Sequence, residues 1–216
     1  MTIPSGVAEV FEELRKEIIW LHARWILYNQ LYGKSEKRVD LLNESAGTFF
    51  YVVQETFLAD VYITLSKLSD PAATGRFDNL SLEQLQIRID AERVSDLSNK
   101  TRPLLAAFRA RCAPFRELRN KALAHYDLDT ALQRAIPLPP TSREMVNGAL
   151  ETLRGYMNAI EGHYEDSETA YDHFVMRASD GESLAHLLKA GLRYDQLCRE
   201  EVISWDDFRQ SDWHDA

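Results

Sequence analysis

From Val7 onwards the apolar residues Val10, Phe11, Leu14, Ile18, Leu21, Trp25 and Tyr28 recur at three- and four-residue steps, the spacing of one helix face. The pattern predicts a first helix over residues 5–32. Gly33 would stop it, since glycine tolerates the left-handed conformation that often ends helices. A second pattern spans residues 36–68, with Leu41, Leu42, Ala46, Phe49, Phe50, Val53, Phe57, Val61, Leu65 and Leu68 on a broad apolar face, and it ends at Ser69-Asp70-Pro71. Residues 71–79, rich in Pro, Gly, Asp and Asn, read as a loop. Ser81, with Gln84 three residues on, has the capping-box arrangement for a short helix to Glu92.

A third long helix is expected over residues 98–124, with Pro103 in its first turn, where a missing N–H costs little. Pro114 removes a helical hydrogen bond and clashes with the preceding turn, so a kink or break is expected there. Residues 127–140 read as a connecting loop. Thr141 or Ser142 then caps a fourth helix to Tyr164 through Met145, Ala149, Leu153, Met157 and Ile160. Residues 181–201 carry one more amphipathic pattern, and no strand pattern is found. The expected fold class is all-α: an antiparallel bundle of four long helices with a short extra helix over residues 1–164, and an acidic helical C-terminal extension, residues 165–216, packed on it.

Composition narrows the class. Of 216 residues, 45% are hydrophobic and 27% charged, the balance of a folded globular chain. The two cysteines, Cys112 and Cys198, and the charged N-terminal stretch argue against secretion and a disulfide framework. The longest apolar runs fall well short of the ~20 residues a membrane helix requires. A soluble, cytoplasmic protein without a membrane partner is expected.

The net charge of −9 argues at face value against a nucleic-acid partner, but the charge is unevenly distributed, and the distribution points the other way. Residues 165–216 hold thirteen acids against five Lys/Arg, a net −8 that leaves about −1 for everything before them. Residues 100–121 hold Lys100, Arg102, Arg109, Arg111, Arg116, Arg119 and Lys121 against the single acid Glu117, a local +6.

There is no glycine-rich phosphate loop, CxxC pair, HExxH or GxSxG, so no metal and no cofactor is expected. Five of the six histidines lie outside any motif. His125 is the exception. In Phe115-Arg-Glu-Leu-Arg-Asn-Lys-Ala-Leu-Ala-His-Tyr-Asp127 it follows Arg119-Asn120 at the end of the basic segment. Arginine offers fixed donors that suit a phosphate, and histidine exchanges a proton near neutral pH. Together they supply the minimum for metal-independent RNA cleavage: His125 as general base or acid in attack by the ribose 2′-hydroxyl, Arg119 stabilising charge on the phosphate. Arg111, Arg116 and Lys121 are candidate substrate-binding cations beside them. On a regular α-helix six residues advance ~600°, leaving Arg119 and His125 ~120° apart, so two subunits paired motif to motif about a two-fold axis would assemble the site better than one.

Arg119-Asn120 followed by His125 resembles the Arg-polar-x(n)-His motif of the HEPN superfamily. The long paired helices before it, the SLEQL segment and the HYD ending look like its abortive-infection branch, over residues 5–164. The resemblance implies a dimerising helical bundle, a composite active site and metal-independent endoribonuclease activity in phage defence or toxin–antitoxin settings. RNA would be the substrate, and an antitoxin or other protein a partner. Arg119 and His125 match the catalytic pair, and Asn120 the polar residue after the arginine. Asp127, also a candidate at the substrate, either orients His125 or caps the following turn. The competing reading is a non-catalytic module of the same fold that binds RNA or protein, with Arg119 held in an internal ion pair. The acidic tail either mimics RNA over the basic segment or is structural. Trp205 and Trp213 either anchor it or form a partner patch.

Overall fold

A computed structural model describes residues 2–123, 127–135, 137–174 and 179–204. His125, Trp205 and Trp213 lie outside the described residues. Helices take up 74% of the structure and the only sheet described is a two-stranded ribbon, so the fold is all-α as expected. Among the described residues no helix is long and apolar enough to cross a membrane. The chain forms two compact units, residues 1–26 with 56–174 and residues 27–55 with 175–216.

The first helix, α1 (Ser5–Tyr28), buries the expected face: Val7, Phe11, Leu14, Ile18 and Leu21 are fully enclosed. Its predicted last turn is instead a π-helical turn, Asn29–Gly33. Gly33 does not take the left-handed conformation expected of it; Lys34 after it remains right-handed. Helix α2 (Glu36–Leu68) has the predicted bounds but bends at Ala46, where φ is −162° and ψ 66°. Beside the bend the Ser45 hydroxyl donates to the Leu41 carbonyl at 2.7 Å, a back-bond that bends helices.

The stretch read as a plain loop contains an antiparallel ribbon, β1 (Ala73–Thr74) and β2 (Phe77–Asp78), in register Ala73 opposite Asp78 and Thr74 opposite Phe77. Two-residue strands are too short to show alternation in sequence. The reversal is made by Gly75, whose φ of 61° is open to glycine at no steric cost. Helix α3 (Leu82–Ala91) starts at Ser81, whose side chain accepts from the Gln84 amide at 3.4 Å.

The third long helix is corrected in three ways. It starts earlier, as α4 (Ser95–Arg111), because Arg93 at φ 59° reverses the chain just ahead of it. Pro103 therefore lies inside α4, not in its first turn. The helix breaks at Cys112, and Pro114 falls in the first turn of a new helix, α5 (Ala113–Leu118), where proline is tolerated. A π-helical turn, Arg119–Leu123, follows. The loop expected at 127–140 holds one short helix, α6 (Leu128–Ala131), capped by Asp127.

Helix α7 (Arg143–Tyr164) is the spine of the first unit and packs most extensively along α4, Leu97, Thr101, Leu105 and Phe108 of α4 being buried, as are Val146, Ala149, Leu150, Leu153 and Tyr156 of α7. Of the two candidate caps, Ser142 takes the role, accepting from the Met145 amide at 3.2 Å, while the Thr141 hydroxyl donates to Tyr62 at 3.0 Å. Ser142→Ala is expected to cost about 1 kcal/mol of stability in denaturant titration.

In the second unit Leu31, Leu42 and Phe50 form a small core against which Tyr32 and Leu188 pack. Helix α8 (Gly181–Arg199) enters it at Gly181, where an added Cβ would come within 2.9 Å of the Gln30 Cβ; the Gly181 amide donates to Gln30 Oε1 at 2.9 Å.

The first unit also encloses a titratable group. His22 on α1 is 2% exposed and its Nε2 has no hydrogen-bond partner among the described residues. Burial, and then the nearby Arg154 charge, push its pKa down from 6.5 to about 4. The unfolded chain takes up this proton near 6.5 and the folded chain only near 4, so stability falls as pH drops through that window. The loss is of the order of 3 kcal/mol. Thermal midpoints should fall between pH 6.5 and 4.5 more steeply for the native sequence than for His22→Phe, and parallel curves would refute this.

Candidate active site

The site is built where α5 passes into its π-helical turn, against the end of α2. Phe115 on α5 is fully buried and stacks on Tyr62 of α2, ring centroids 5.1 Å apart. This contact seats the motif segment beside Ser69 and Asp70. Arg116 then donates from Nη1 to the Ser69 carbonyl at 3.2 Å and from Nη2 to the Arg109 carbonyl at 3.3 Å. Among the described residues Arg116 has no carboxylate partner.

Arg119, the first residue of the turn, is held at two of its three nitrogens. Nη1 meets Asp70 Oδ2 at 2.7 Å, with the two side chains only 20% and 22% exposed, and Nε donates to Asn120 Oδ1 at 3.0 Å. Nη2 has no hydrogen bond among the described residues. Asn120 is thus placed to orient the guanidinium. Asp70 is not legible in the sequence as a site residue: it lies 49 residues before Arg119, and Ser69-Asp70-Pro71 reads only as a helix stop.

The other candidates divide. Lys121 pairs with Glu117 at 2.9 Å, one helical turn back, and Arg109 with Glu83 at 2.9 Å. Arg111 lies against Gly148 of α7, its Nη1 2.5 Å from where a Cβ there would stand. Asp127 Oδ1 accepts from the Thr130 amide at 2.9 Å and the Thr130 hydroxyl at 2.8 Å, bonds that hold its carboxyl below the usual range. Of its two open roles, the described geometry is that of the cap. The buried Cys112 lies beside Arg116, but burial pushes its thiol up to about 12, which removes it as a nucleophile at neutral pH.

Because Arg119–Leu123 is π-helical, the ~120° separation that a regular α-helix would set between Arg119 and His125 does not carry over. Turns of this kind occur frequently at functional sites.

Residues 5–183 match the family model HEPN AbiU2, described as AbiU2. The chain belongs to the HEPN AbiU2 family. The match runs past residue 164, where the resemblance read from the sequence stops, and takes in the start of α8. Comparison with curated proteins and with solved structures returned no match. In this HEPN AbiU2 chain, Arg119 bonds both Asp70 and Asn120, and the three form one hydrogen-bonded cluster.

Proposed function

We propose that this HEPN AbiU2 protein is a metal-independent endoribonuclease acting in phage defence or as a toxin-like ribonuclease, with a composite site where two copies meet motif to motif. The observation that carries the reading is the state of Arg119. Its guanidinium is fixed by Asp70 and Asn120 with Nη2 left over, the arrangement of a preorganised phosphate donor. In the proposed reaction His125 takes the proton of a ribose 2′-hydroxyl. The oxygen attacks the adjacent phosphorus, the bond to the 5′-oxygen breaks, and the protonated His125 returns its proton to that oxygen as it leaves. The products are a 2′,3′-cyclic phosphate and a 5′-hydroxyl end. Arg119 Nη2 stabilises the charge that gathers on the phosphoryl oxygens.

The same ion pair favours a second reading. Asp70 neutralises much of the Arg119 charge, as expected in a non-catalytic HEPN-fold module that binds RNA or protein. Incubation of the protein and of His125→Ala with total RNA in EDTA separates the two, provided both proteins are folded and share one oligomeric state. The ribonuclease reading expects cyclic-phosphate ends from the native sequence and none from the variant. No cleavage by either protein moves the assignment to the binding module, and equal cleavage by both removes His125 from the reaction.

A further inference from the structure

The ribbon β1–β2 has no evident task in folding. All four of its strand residues are exposed, Phe77 to 64%, and an isolated two-stranded ribbon is marginal in water. It is nevertheless braced. The Asn79 side-chain amide donates to the Pro71 carbonyl and the Thr74 hydroxyl, both at 2.8 Å, and the Asn79 backbone amide to the Ala72 carbonyl at 2.8 Å. The Ala72 amide donates to Glu83 Oε2 at 3.2 Å, and the other oxygen of Glu83 holds Arg109.

The residues just before the ribbon are those that hold the motif: Ser69 receives Arg116, and Asp70 receives Arg119. Hydrogen bonds from the ribbon to Pro71, the adjoining Asp70 and its ion pair thus connect an exposed aromatic residue to the candidate catalytic arginine. Thr74, opposite Phe77, is four residues from Asp70, a span of at most ~14 Å, so the Phe77 ring lies within reach of a few unstacked nucleotides from Arg119.

The chemistry at the tip is specific. The Arg76 guanidinium lies 5.0 Å from the centre of the Phe77 ring, a cation–π contact that steadies an otherwise exposed ring. Successive strand residues point to opposite faces, which directs the Asp78 carboxylate away from the Phe77 face. A ring with a cation beside it, close to arginines that suit phosphate, is the form of a platform for an unpaired base: the ring stacks and the cation meets the backbone.

We propose that the Ala73–Asp78 ribbon is a nucleobase-stacking element for single-stranded RNA, with Phe77 as platform and Arg76 as its phosphate contact. The proposal rests on the ribonuclease reading for its ligand and is measured apart from cleavage. A short, unstructured, fluorescently labelled oligoribonucleotide is titrated in EDTA with full-length His125→Ala protein, alone and combined with Phe77→Ala, Phe77→Trp or Arg76→Ala. Far-UV circular dichroism checks the fold, which an exposed position should leave intact.

Phe77→Ala is expected to raise Kd about 5- to 100-fold and Phe77→Trp to restore binding. Arg76→Ala should weaken binding and flatten its salt dependence. A Kd for Phe77→Ala within twofold of its background overturns the proposal even if the native sequence cleaves RNA. Loss of binding on Phe77→Ala sustains it even if the native sequence does not cleave, in which case only the catalytic reading falls. No binding of the oligonucleotide by any of the proteins overturns it.

Discussion

His125→Ala and Arg119→Ala proteins are each expected to lose about 10²–10⁴-fold in metal-free RNA cleavage, the range for removing a general acid–base group or a transition-state donor. Arg119→Lys is expected to recover little of it. The guanidinium reaches Asp70 and Asn120 through two nitrogens and keeps a third with no hydrogen bond among the described residues, whereas an ammonium presents its donors from one point and cannot hold that frame. The loss at Arg119 should appear in kcat more than in KM, because a donor fixed for charge that develops in the transition state contributes little to ground-state binding. Asp70 sits 22% exposed, so water can solvate the carboxylate that Arg119→Ala leaves behind, and the variant should fold. Cleavage within threefold of the native sequence by either alanine variant would remove that residue from the mechanism.

Arg119 also shows where sequence patterns stop being informative. Long apolar repeats announce helices because each contributes many positions to one face, so α2 and α7 have the bounds read from periodicity and Ser81 and Ser142 cap the helices they precede. Local irregularities leave no such repeat. The π-helical turns at Asn29–Gly33 and Arg119–Leu123 insert one residue into a periodic pattern, and β1–β2 is shorter than one period of alternation. Proline is informative in position but not in consequence: Pro114 marks a real break, whereas Pro103 is carried inside α4. The motif arginine is legible because its chemistry is local. Its partner is not, since Asp70 is brought to it by the stacking of Phe115 on Tyr62 and not by any spacing along the chain.

That positioning depends on the core beneath it, and Tyr156→Ala is the substitution expected to disturb it most. Tyr156 is fully buried on α7, and its hydroxyl lies 3.3 Å from both the Leu82 carbonyl and Gln86 Oε1 on α3. Desolvation raises its pKa, so it stays a neutral donor throughout the working pH range. Truncation removes an enclosed ring at a cost of about 3–5 kcal/mol and leaves polar groups of α3 facing a cavity. Helix α3 also carries Glu83, which holds Arg109 and the base of the ribbon, so loosening it should loosen the frame around Asp70 as well. The thermal midpoint should drop by roughly 6–20 °C, the equivalent of that loss for a chain of this size. Tyr156→Phe keeps the ring and gives up only the hydroxyl, and its drop should be no more than about a third as large. Equal drops for the two variants would place the effect in the hydrogen bonds, and no drop for alanine would mean that α7 and α3 are held together by other contacts.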